Sequence, residues 1–143
     1  MSSQTGIQET PGDNGAARAA VNALGVVSEE LMETIRNAHV ALEDSIDGRG
    51  GSTALVRSGQ LLHQVSGALK LTETYGAALL AEEMEAVCSY LANLRAGKGR
   101  EDGLDALTRS MVQLPIYIER LLGGGRDIAL VLLPMLNDLR AAR

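Results

Sequence analysis

The sequence predicts an all-α fold, an antiparallel up-and-down bundle of four core helices with a fifth helix added at the C-terminus. Three observations carry this. Apolar residues recur at steps of three and four through five segments, and no stretch alternates as a strand would. Breaks of about seven to nine residues follow the first and third segments, short enough to join neighbouring helices antiparallel. The chain has 2% aromatic residues with no Phe or Trp, so its core must come from Leu, Ile, Val, Met and Ala, which suit helices packed on helices.

Residues 1–15 are polar, rich in Gly, Ser and Thr, and without an apolar period, so the first 20 residues are expected to form a disordered tail and 21–143 one helical domain. The first helix is expected from about Val26 to Ile46. Val27, Leu31, Ile35, Ala38, Leu42 and Ile46 step along one face, and Ser28 is a candidate N-cap. The segment DGRGGST at 47–53 breaks it, with Ser52 and Thr53 able to cap the second helix.

That second helix runs to about Leu71 on the stripe Leu55, Leu62, Val65 and Leu69, and Thr72 or Thr74 can cap the third. The third is expected over Tyr75–Leu94, where Leu80, Met84, Val87, Leu91 and Leu94 give the cleanest amphipathic signal. After RAGKGREDG at 95–103, the fourth helix carries Leu104, Leu107, Met111, Leu114, Ile118 and Leu121, and Gly123, Gly124 and Gly125 end it. The fifth, about Asp127 to Arg143, repeats the period at Ile128, Leu132, Met135 and Leu139, with Asp127 as its expected N-cap. Pro115 and Pro134 fall inside helices whose apolar period continues past them, so kinks are expected there and not helix ends.

Charge and composition narrow the function classes. The net charge is −5, the wrong sign for a domain that gains affinity by neutralising nucleic-acid phosphates. Residues 1–50 hold eight Asp/Glu against three Lys/Arg, so the acidity sits around the first helix. Cys88 is the single cysteine, which leaves no internal disulfide and no CxxC pair for zinc, and a reducing compartment fits best. With no leader-like N-terminus and no apolar run near the roughly 20 residues that span a bilayer, the cytoplasm is the expected location, without membrane insertion.

The inventory of reactive side chains is thin. His39 and His63 fall on different helices, and no metal motif or cofactor site can be assembled from the spacings. Glu82, Glu83 and Glu85 lie near one another on the third helix, Glu82 and Glu85 pointing away from its apolar stripe, and read as a solvated face. The GGG at 123–125 lacks a preceding strand and a following Lys-Ser/Thr pair, so it reads as a stop and not as a phosphate loop. His63 differs. It lies well round its helix from the apolar stripe and therefore points outward, with Gly59 one turn before, Gly67 one turn after and Lys70 two turns on. Two helical glycines cost about 1 kcal/mol each against Ala, a cost that close approach of a partner to the imidazole or a helix–helix contact would explain.

The stretch LLHQVSGALKLTETYGAALLAEEMEAV at 61–87 resembles the histidine-phosphotransfer (HPt) signature, with His63 at the phospho-acceptor position and Gly67 at its glycine. The runs LPIYIERL at 114–121 and RDIALVLLPMLNDLRAAR at 126–143 resemble, more narrowly, the N-terminal HPt-like region of the CheA-like hybrid histidine kinases of type IV pilus (twitching motility) chemosensory systems. The resemblance implies an HPt-type bundle that is a fragment of such a kinase, without turnover of its own. It implies a phosphorelay in which His63 exchanges phosphoryl groups with receiver-domain aspartates, with Gly59, Ser66, Gly67 and Lys70 as the surrounding docking surface.

The sequence departs from the HPt pattern at one position. Ser66 stands where the family carries lysine three residues after the histidine, and Lys70 is the nearby same-face cation. That departure supports an alternative: a degenerate HPt-like module that docks receiver domains or other pilus chemosensory proteins without being phosphorylated. A plain helical dimerisation unit is a third reading, for which Val56, Val112 and Leu136 are the candidate exposed apolar residues.

Overall fold

A computed structural model describes the backbone of residues 11–143, and the side chains from Gly15 onward except Ala129. Five helices occur in order: α1 Pro11–Ile46, α2 Gly51–Leu71, α3 Tyr75–Ala92, α4 Lys98–Leu122 and α5 Ala129–Ala141. Consecutive helices pack on one another, and α4 returns to touch α1, so α1 to α4 close a ring around one core; α5 packs outside it on α3 and α4. This is the expected all-α antiparallel bundle with an added last helix.

The core stripes of α2 and α3 are those expected save at one position: Leu55, Leu62, Val65 and Leu69 face Leu80, Met84, Val87 and Leu91 in a single cluster, all fully buried, whereas Leu94, expected to end the third stripe, lies beyond the last residue of α3 and is only half-buried. On α4, Leu107, Met111, Leu114, Ile118 and Leu121 are buried, while Leu104 is only half-buried. On α1, Leu31, Ile35, Ala38 and Leu42 are buried; Val27 is half-buried and Ile46 exposed.

Helix boundaries depart from expectation at several points. The first helix begins at Pro11, not near Val26, so residues 11–20 of the expected tail are its first turns; residues 1–10 lie outside the described residues. The run AARAAVNAL is rich in strong helix formers, and Leu24 adds a buried anchor just before the expected start. Ser28 is thus inside the helix, its hydroxyl donating to the Gly25 carbonyl at 3.0 Å. The N-cap of α2 is Gly50 in the left-handed region, with Ser52 and Thr53 already in the first turn. Thr74 does occupy the N-cap position of α3, though without a side-chain capping bond.

Helix α4 starts at Lys98, six residues before Leu104. Gly103 is buried against Leu91, where a Cβ would lie 2.8 Å from Leu91 Cδ2, so a glycine is what lets this first part of α4 settle on α3. Pro115 and Pro134 sit inside continuous helices, as the unbroken period predicts.

Asp127 does not cap α5, whose N-cap is Ile128. Its carboxylate instead accepts from the Gly76 amide at 2.8 Å and from the Tyr117 hydroxyl at 2.5 Å, tying the α4–α5 connection to the start of α3. At the other end of α5, Arg143 Nη2 lies 2.9 Å and Arg140 Nε 3.7 Å from the Glu83 carboxylate on α3. Among the described residues no helix is long and apolar enough to cross a membrane.

Candidate functional site at His63

The site is built where α2 and α3 run antiparallel at close range. Gly59 makes that approach possible: it is buried, and a Cβ there would sit 3.2 Å from Cys88 Cβ. One turn along α2 stands His63, and one turn back along α3 stands Glu85. The two meet across the helix pair, with His63 Nδ1 3.1 Å from Glu85 Oε2 and 3.2 Å from Oε1.

A carboxylate only accepts hydrogen bonds, so a neutral His63 bonded to it carries its proton on Nδ1 and leaves a bare lone pair on Nε2. The His63 side chain is 75% exposed, which leaves that nitrogen open to an incoming partner. An open groove of about 540 Å³ runs beside the ring, lined by Val56, Gly59, Gln60, Glu85, Cys88 and Asn93 among others. Cys88 supplies no nucleophile: burial pushes its thiol up to about 12, and the Ser58 hydrogen bond offsets this only in part.

The structure confirms the outward placement of His63 but redistributes the residues expected around it. Gly59 is buried and clears space for α3, not for a visitor on the outer surface. Ser66 is also buried at 2% exposure, and its hydroxyl donates to the His63 carbonyl at 3.0 Å. A side chain that turns back onto its own helix offers nothing to a partner. Gly67 is half-buried with open space where a side chain would go. Lys70 is exposed, but its ammonium is engaged with Glu82 at 3.0 Å. Glu85 is the residue that sequence reasoning missed. Glu82, Glu83 and Glu85, read as a solvated face, each pair across helices: with Lys70, with Arg140 and Arg143, and with His63. Among the described residues no cluster of three or more His, Cys, Asp or Glu could hold a metal.

Comparison with known proteins adds one likeness that extends over most of the chain. The chain is similar to scaffold protein FimL of Pseudomonas aeruginosa. The two are 31% identical over 119 residues, an alignment that takes in 83% of this chain and 21% of FimL. The likeness is therefore distant homology over most of this chain, which spans about a fifth of the length of FimL. No family model matches the chain, and no solved structure matches it.

Proposed function

We propose that this chain is a docking module: an HPt-like helical bundle that binds regulatory proteins of a type IV pilus chemosensory system around His63 without needing to carry phosphate. The observation that carries this reading is the homology to a protein named as a scaffold, which extends over 83% of the chain. The surroundings of His63 support it. The position where HPt domains hold a lysine is a buried serine, and the nearest cation on that face is engaged by Glu82. Nothing there offsets the charge of a phosphoryl group as a free ammonium would. The partners proposed are receiver domains or other proteins of that system.

A second reading, the phosphoryl carrier, is favoured by one observation: a carboxylate holds the imidazole by Nδ1 and turns Nε2 outward. In that reaction Nε2 attacks the phosphorus of a receiver's aspartyl phosphate. The N–P bond forms as the acyl P–O bond breaks, and the aspartate leaves as a carboxylate. Metal and charge neutralisation would come from the receiver.

One experiment separates the two. The cognate receiver domains, unphosphorylated and phosphorylated, are titrated against the wild type, His63→Ala and His63→Gln, and each mixture is assayed for acid-labile phosphate on this chain. The docking reading expects binding that persists in His63→Ala with no label on any variant. Label on the wild type that disappears in His63→Gln overturns it in favour of the carrier.

A further inference from the structure

The groove beside His63 is short of hydrogen-bond donors. The neutral His63 ring spends its Nδ1 proton on Glu85, and the Asn93 amide donates to the Ser89 carbonyl at 3.1 Å. The Ser66 hydroxyl is turned back onto the His63 carbonyl, away from the surface. What these contacts leave open are acceptors: His63 Nε2, Asn93 Oδ1 and the outer lone pairs of the Glu85 carboxylate. Gln60 and Gln64, exposed at the rim, hold no side-chain hydrogen bond among the described residues and can turn either end inward.

Charge points the same way. Among the described residues that line the groove, Glu85 is the one Asp, Glu, Lys or Arg. With His63 neutral the lining is negative, and with His63 protonated its charge is balanced, so in neither state is it positive. The cations of the surrounding elements do not alter this. Lys70, two turns along α2, is engaged by Glu82, and Arg49, between α1 and α2, by Asp44 and Asp47. Arg57 and Arg95 are exposed but outside the lining, Arg57 about 120° round α2 from His63 and Arg95 beyond the end of α3. Helix α1 packs on the far flank of α2, where the Ala38 carbonyl accepts from Ser58.

We infer that the protein docked at this groove enters it with an arginine, whose guanidinium forks onto Glu85 with His63 Nε2 as a further acceptor. The inference rests on the docking reading above and names what the docked protein must present. A guanidinium has five N–H donors and no acceptor, the complement of this lining, and it pairs with a carboxylate through two parallel bonds. Its methylene stem would cover Val56, an exposed apolar residue in the groove wall. A carboxylate brought in by a partner would meet no free cation in the lining and would stand beside Glu85.

The test is an NMR titration of the full nitrogen-labelled chain with three blocked peptides, acetyl-Ala-Arg-Ala-amide, its citrulline counterpart and acetyl-Ala-Glu-Ala-amide, with circular dichroism to verify the fold of each variant. The arginine peptide should shift the amides of Gly59, His63, Glu85 and Ser89 saturably. It should bind roughly fivefold more tightly than the citrulline peptide, which keeps the shape and lacks the charge. Glu85→Gln should remove that advantage, whereas Glu29→Gln, which takes the same charge from the exposed face of α1, should keep it. A glutamate peptide that shifts these amides as strongly, an arginine peptide that binds no better than citrulline, or an advantage that survives Glu85→Gln overturns the inference. The cognate receiver domains, titrated against the wild type and Glu85→Gln, report separately on the reading beneath it. Receivers that bind both chains alike leave docking standing and overturn the arginine contact; receivers that bind neither count against receiver docking, while the peptides still decide the arginine contact.

Discussion

His63 on α2 and Glu85 on α3 share a hydrogen bond at 3.1 Å, with the histidine side chain three-quarters exposed and the carboxylate about one-third exposed. A bond so open to water contributes at most about 1 kcal/mol to stability, so what it does is fix a tautomer and a ring orientation. Glu85→Ala should leave the unfolding midpoint nearly unchanged. It should lower the fraction of neutral His63 that carries its proton on Nδ1, read from the imidazole nitrogen shifts by NMR. An unchanged tautomer ratio would mean that the carboxylate does not orient the ring.

The two glycines flanking His63 should respond in opposite directions. Gly67 has open space where a side chain would go, so Gly67→Ala should raise stability by about 1 kcal/mol through helix propensity alone. At Gly59 the neighbouring Cys88 stands in the way, and Gly59→Leu should cost roughly 1–3 kcal/mol by overpacking. Urea denaturation of both variants measures the difference. If Gly67→Ala also weakens partner binding, its bareness serves the docking surface.

The Tyr117 hydroxyl is held protonated by burial first and by its bond to the Asp127 carboxylate second, which raises its pKa above the ordinary tyrosine value. The folded state therefore keeps a proton that the unfolded chain releases near pH 10, so stability should fall as pH rises from about 10 towards the folded value. Tyr117→Phe should flatten that alkaline loss, and at neutral pH it should cost roughly 1–3 kcal/mol for the lost bond to a charged acceptor. Thermal melts at stepped alkaline pH read both effects.

Cys88 is fully buried with its thiol raised to about 12, so iodoacetamide at pH 8 should leave the folded chain unmodified and label it readily once urea unfolds it. Mass spectrometry reports both states, and rapid labelling of the folded protein would show that the α2–α3 contact opens.

How far these features can be read from the sequence depends on whether one helix suffices to define them. The stripes of α2 and α3 and the outward angle of His63 come from the period of a single segment, and the structure has them as expected save at Leu94. The starts of α1 and α4 do not. Alanine-rich and charged turns carry no period, and Gly103 reads as a breaker until Leu91 is seen lying over it. Asp127 is a cap by residue type, but Gly76 and Tyr117, distant in sequence, take its carboxylate. Leu136 lies off the apolar stripe by its period yet is 2% exposed, while Met135 on that stripe is only half-buried and Ile128 is exposed, because α5 beds on α3 and α4 with its buried face turned towards Leu136. Glu85 needs the register of α2 against α3, which neither helix specifies alone. The small pair Gly59 and Cys88 is the available clue to that register.

Helix α3 grips His63 through Glu85 and the tail of α5 through Glu83, two positions apart and so about 200° apart around the helix. Traffic at one does not obstruct the other. A protein docked over the imidazole would therefore leave the α3–α5 seam, on the opposite flank of the same rod, undisturbed.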